Sequence, residues 1–161
     1  MRLIAWDSSS KTGSIGALEW EPAGSRLSSE GTNLVPEWTL SLEASHSDRL
    51  LWAVHQMLEA CRWPLSSIDY VGVGVGPGSF TGVRIGVTTA KALAMGIKKP
   101  IIGFSSLAAL ARPHAETLKH DKGKKWLILS TTDACKGEVF ALWGSARSVS
   151  ECVSHPDSLN G

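Results

Sequence analysis

An excess of charge of either sign is missing from this sequence. Sixteen lysines and arginines face 15 aspartates and glutamates, a formal net charge of +1, and no basic run marks a local stripe. That balance removes the global electrostatic case for a nucleic-acid binder, so any such contact must come from a small patch or through a partner. Cysteine is sparse. Cys61, Cys135 and Cys152 are odd in number and form no C-x-x-C pair, which argues against both a zinc knuckle and a disulfide framework. Long apolar runs are missing too. Arg2 is followed only by Leu3-Ile-Ala-Trp6 before Asp7, too little for a signal peptide, and no stretch approaches membrane-spanning length. A reducing cytoplasm is the expected compartment, with no membrane contact.

What remains is an ordinary globular composition. With 161 residues, 43% hydrophobic and 19% charged, the chain is long enough for one domain, or for one domain and part of another, around a real core. Seven tryptophans are many for this length. Most belong to the core, but one or two on a partner surface would fit the enrichment of tryptophan at interfaces.

Arg2–Trp6 reads as a buried strand, Asp7–Gly13 as a turn, and Ser14–Trp20 as a returning strand. Trp38–Leu42 alternates enough for a third, giving an antiparallel meander. His46–Trp63 is an amphipathic helix with Leu50, Val54, Met57, Leu58 and Cys61 on one face, and with Ser45 or Ser47 as cap. Its other side carries Trp52, Gln56, Glu59 and Trp63, a polar face displaying two indoles. Pro64 stops it. Tyr70–Val75 is a short buried strand, Ser79–Gly96 a second helix, Pro100–Gly103 a strand, and Ser105–Ala111 a short helix ended by Pro113.

The opening design then returns. Trp126–Asp133, a turn through Gly137, and Glu138–Trp143 again make an apolar strand ending in aspartate, a polar turn and an outgoing strand. Asp7 and Asp133 occupy equivalent places. Duplicated lobes that each begin with a hairpin characterise the actin-like and sugar-kinase-like ATPases on a ribonuclease H type of fold. The expectation is an α/β actin-like lobe over residues 1–112, with 113–161 as the linker and initial hairpin of an incomplete second lobe.

The segment GVGVGPGSFTGVR, Gly72–Arg84, invites three readings. A helix N-terminus can cradle phosphate, but neither the G-x-x-x-x-G-K-[ST] nor the G-x-G-x-x-G spacing is met. A serine elbow around Ser79 would need glycine where Pro77 and Thr81 stand. The third reading is packing. Gly82, Gly86, Ala90 and Ala94 recur every four residues, and interior glycines lower helix stability by about 1 kcal/mol each, so a close neighbour is expected. It is either this chain's own sheet and first helix or another subunit.

Together these residues resemble the TsaB (YeaZ) family of tRNA threonylcarbamoyladenosine synthesis. GPGSFTGVRIG at Gly76–Gly86 carries the resemblance most specifically. It is joined by LIAWDSSS at the start, HSDRLL in the first helix, PIIGFSSLAALA after the second, and DACKGEVF at Asp133–Phe140. The resemblance implies a non-catalytic subunit that docks its first-lobe helices on the catalytic subunit TsaD or, in isolation, on a second copy. Trp52, Glu59, Gly82, Gly86 and Ala90 are the implied interface residues. TsaD transfers the threonylcarbamoyl group to tRNA, an ATPase subunit (TsaE) supports turnover, and tRNA is met only through the complex. No metal site is implied, because the H-x-x-x-H pair of the catalytic subunit is absent. No cofactor belongs to the chain alone, with ATP or ADP expected in the complex and Asp7 and Asp133 as its contacts.

The alternative is a nucleotide-binding phosphotransferase or ATPase of the actin-like superfamily, with Asp7, Asp133 and Lys11 around phosphate and magnesium. A ribonuclease H-like nuclease using Asp7, Glu43 and Asp133 would need a basic substrate path that the charge balance does not supply. A metallopeptidase lacks its histidine pair.

Overall fold

The computed structural model describes residues 1–20, 32–41, 46–118, 125–135 and 137–145. Leu42, Glu43, Ser45, His120 and Cys152 lie outside the described residues. The chain divides into two compact units, Met1–Val75 with Ser79–Gly103, and Gly76–Gly78 with Phe104–Gly161.

In the first unit β1 (Arg2–Asp7), β2 (Thr12–Trp20) and β3 (Thr32–Ser41) form the antiparallel meander. Helix α1 (His46–Cys61) and a single 3-10 turn (Leu65–Ser67) lead to β4 (Tyr70–Gly74), which pairs parallel to β1. Helix α2 (Phe80–Ile97) and β5 (Ile101–Phe104) follow, and the sheet order is β3-β2-β1-β4-β5. Alternation decides which side of this sheet is the core. Ile4 stands in register with Ala17 and Val71, and Trp6 with Ile15 and Val73. All six are buried against Leu50, Ala53, Val54 and Met57 of α1 and Ala90 and Ala94 of α2.

β3 begins earlier than its alternation suggests because a bulge absorbs a proline. Gly16 pairs with Glu37 and Ala17 with Val35, so Pro36, which has no N–H to donate, is the residue left over. Helix α1 stops sooner than expected, since Arg62 turns into the left-handed region. That rotation carries Trp63 off the polar face. Its ring is only 7% exposed, beneath the Arg2 guanidinium at 5.0 Å.

The second unit holds α3 (Ser106–Leu118) and the antiparallel hairpin β6 (Leu127–Cys135) and β7 (Glu138–Ser145). Pro113 does not end α3; it sits inside the helix. Leu107, Ala111 and Ala115 form one buried stripe against Ile128 and Leu142, and this packing carries the helix past the missing hydrogen bond. Thus α3, read from sequence with the first lobe, has its buried face on the hairpin. Gly137 takes φ 82 in the hairpin turn, a conformation glycine adopts without steric penalty.

Candidate functional site

Two surfaces gather the residues singled out by the sequence. One is the turn after β1, and the other is the outer face of α1 and α2.

The β1–β2 turn is seated on α2 by hydrogen bonds from residues far apart in sequence. The Trp6 indole N–H donates to the Gly86 carbonyl at 3.1 Å, and the buried Ser8 hydroxyl donates to the Gly82 carbonyl at 2.9 Å. The Ser79 N–H donates to the Ser9 carbonyl at 2.6 Å. Such contacts need backbone at van der Waals distance, which only glycine permits here. A Cβ on Gly82 would collide with the Ser8 carbonyl oxygen, and one on Gly86 with the Ser8 hydroxyl. Gly82, Gly86, Ala90 and Ala94 are the buried residues of α2.

The glycine stripe is therefore an intrachain packing device. Of the expected interface residues, Gly82, Gly86 and Ala90 are placed inward: the Ser8 turn occupies the space beside Gly82 and Gly86 where a side chain would stand, and Ala90 is buried in the core. Ser79 is a helix cap and carries no elbow geometry: its Oγ accepts the Gly82 N–H at 3.3 Å. In the loop before it, Gly76 takes φ 88, and its carbonyl accepts the Ser106 N–H at 2.9 Å.

Asp7 ends β1 beside Gly74, where any Cβ would meet its carboxylate. One oxygen accepts the Ser9 N–H at 2.7 Å, an aspartate turn that fixes the side chain at the strand end. Asp133 lies in the second unit, paired with Val139 at the bulge of β6, so the two aspartates belong to different units. Among the described residues, no group of three or more His, Cys, Asp or Glu side chains is placed to hold a metal ion. Burial pushes the Cys61 thiol up from its ordinary value, the opposite of what an activated nucleophile needs.

The second surface is the exposed side of the helix pair. Trp52 is 62% and Leu51 54% exposed on α1, while Phe80 is 74% and Met95 78% exposed on α2. Arg84 lies over the Phe80 ring at 5.2 Å. Beside it Thr81, Arg84, Ile85, Thr88 and Thr89 line a shallow groove of about 240 Å³. Glu59 is exposed on α1, with one oxygen 3.9 Å from His55. Trp52 and Glu59 thus stand on an outward face, separate from the inward stripe. Sequence reading missed Ser8 altogether. Its signal was available: three serines directly after a buried strand, and a helix whose glycines needed a small, hydrogen-bonding neighbour.

A mixed sheet ordered 3-2-1-4-5, opened by an antiparallel meander, crossed by helices and ending β1 in a fixed aspartate, defines an actin-like, ribonuclease H-like lobe. Residues 33–155 match the family model for TsaD, tRNA N6-adenosine threonylcarbamoyltransferase. The chain is 35% identical over 140 residues to the tRNA threonylcarbamoyladenosine biosynthesis protein TsaB of Bacillus subtilis, covering 87% of this chain and 53% of that protein. It is 38% identical over 95 residues to TsaB of Escherichia coli, covering 59% of this chain and 39% of that one. The solved structure of YeaZ from Pseudomonas aeruginosa superposes with a TM-score of 0.68 at 27% identity, over 89% of this chain and 59% of that one. The chain belongs to the TsaD family and, within it, to the TsaB (YeaZ) group. It spans about half or less of the length of the curated relatives it matches, 53% and 39% of the two above.

Proposed function

We propose that this chain is a non-catalytic partner subunit in tRNA threonylcarbamoyladenosine synthesis, docking on a TsaD-type catalytic subunit through the outer faces of α1 and α2. The observation that supports this most is the separation of faces on α2. Its small residues are consumed inside the chain, while Phe80 and Met95, with Leu51 and Trp52 of α1, leave large apolar side chains in solvent. Exposed apolar side chains at both ends of α2 and on α1 suit a helical bundle with another subunit. The interface assignment therefore keeps Trp52 and Glu59 and adds Leu51, Phe80 and Met95. Gly82 and Gly86 act through the fold, holding α2 against the Ser8 turn, and Ala90 acts through the core.

In this reading the same face pairs with a second copy when the catalytic subunit is absent, a TsaE-type ATPase supports turnover, and tRNA is engaged in the assembled complex. The chain needs no cofactor of its own. ATP or ADP enters with the complex, and Asp7 and Asp133 are its candidate contacts on this chain. The compartment is the cytoplasm; no helix among the described residues is long and apolar enough to cross a membrane.

Size-exclusion chromatography with light scattering, on the chain alone and mixed with its organism's TsaD-type protein, tests the proposal. A one-to-one complex is expected. Trp52→Ala should weaken it by about 2 kcal/mol, roughly thirtyfold, as a central interface tryptophan does, with folding stability unchanged. A monomer in both runs would sink the reading. Magnesium-dependent ATP turnover by the isolated chain would favour the phosphotransferase alternative.

A further inference from the structure

The charge of this chain is unevenly divided. From Tyr70 to Ala115 the sequence holds five cations, Arg84, Lys91, Lys98, Lys99 and Arg112, and no aspartate or glutamate; all 15 acids lie outside that stretch. The near-zero net charge hides this, because the cations are spaced and form no basic run. Two of them are engaged by acids at the borders of the stretch, Lys99 with Asp69 at 3.3 Å and Arg112 with Glu116 at 2.7 Å. Arg84, Lys91 and Lys98 have no ion pair among the described residues.

Helix α2 gathers these three on one line. Phe80, Arg84, Thr88, Lys91, Met95 and Lys98 recur at steps of three and four residues, and every one is exposed, so they share one side of the helix. The line is distinct from the buried Gly82, Gly86, Ala90 and Ala94. Phe80 and Met95 stand about 22 Å apart along the axis, with Arg84 and Lys91 between them and about 10 Å from each other. Arg84 is held over the Phe80 ring at 5.2 Å. The groove of about 240 Å³ beside it is lined by Thr81, Ile85, Thr88 and Thr89, hydroxyl donors with no acid among them.

We infer that α2 docks an acidic amphipathic helix of the TsaD-type subunit, which brings two carboxylates about two turns apart, one to Arg84 and its threonine-lined groove and one to Lys91. A partner helix that covers both apolar ends of the line lies over both cations. Covering an unpaired cation is costly, and α2 supplies no acid beside them, so the partner must. A second copy of this chain is a poor substitute. Placing α2 against α2 sets cation against cation, and among the described side chains of α1 and α2 the exposed acid is Glu59, already 3.9 Å from His55. The line therefore selects the catalytic subunit over self-pairing. The inference rests on the docking reading above and names the partner's chemistry within it.

The test is a calorimetric titration of the TsaD-type subunit with the full chain between about 50 and 500 mM salt. Wild-type affinity should fall about tenfold across that range. Arg84→Glu and Lys91→Glu should each weaken the complex about thirtyfold at low salt, and Arg84→Gln and Lys91→Gln about fivefold with a flatter salt dependence. All four side chains are exposed, so thermal unfolding should stay at the wild-type temperature. Reversals that bind as wild type does, or a wild-type complex indifferent to salt, overturn the inference and leave the docking reading standing. No wild-type complex at any salt overturns both. Equal weakening of the chain's own self-association, read by light scattering, would assign the carboxylates to a second copy and overturn the choice of partner. An intact protein complex that loses a tRNA transcript in the same variants would reassign the line to RNA and overturn it as well.

Discussion

The two units of this chain bury their apolar residues in different ways. The first closes a five-stranded sheet under two helices, and its core side chains come in matched registers across β1, β2 and β4. The second lays one helix on a two-stranded hairpin. Ile128 and Leu142 are covered by α3, while Leu127, Leu129 and Val139 are 73%, 63% and 54% exposed. A hairpin with one helix is near the lower limit of independent stability. Stability in this chain should therefore be graded, with the sheet unit opening last and the hairpin unit first.

The largest effect should come from the seat of the Ser8 turn. Gly82→Ala places a methyl group on the Ser8 carbonyl, where the neighbour is backbone and cannot rotate away, and should destabilise the first unit by about 3 kcal/mol in urea unfolding followed by circular dichroism. A change below about 0.5 kcal/mol would show that the turn is not held on α2. Next is Leu142→Ala, about 2 kcal/mol in the core of the second unit. Hydrogen exchange should show β6 and β7 losing protection while β1 and β4 keep theirs. Uniform loss would make the two units one cooperative body. Leu129→Thr, on the open face of the same strands, should stay within about 0.5 kcal/mol.

The smallest effect is electrostatic. The Arg2 backbone N–H, aided by Lys99, holds the Asp69 carboxyl below its ordinary value. A depressed carboxylate stabilises the fold above its unfolded pKa of about 4, and that contribution is lost as pH falls through the lower folded value. Thermal unfolding of wild type should therefore fall more steeply below about pH 4 than that of Asp69→Asn. Parallel curves would show that the contact carries no net stability, as for many exposed pairs.

Local pattern was enough for much of this molecule. Short apolar runs bounded by turn residues placed β1, β2 and β4, the 3.6-residue period placed α1, a small-residue spacing of four marked α2, and both hairpins followed from a polar turn between apolar strands, because each of these signals is written within a few residues. Trp52 and Glu59 were legible as outward residues for the same reason. Other features depended on partners distant in the chain. Pro113 stays within a helix because Ala111 and Ala115 are both buried in the second core. Trp63 is covered in part by Arg2, a residue 61 positions earlier in the chain.

The glycine motif shows where the boundary lies. A small-residue stripe spaced by four says that something must come close, and sequence alone determined that much, together with the family and the order of elements. What comes close was settled only by tertiary structure. Ser8 lies 74 positions from Gly82, and Trp6 lies 80 from Gly86. A stripe of absent side chains fixes a distance of approach and carries no record of which surface, own or foreign, fills it.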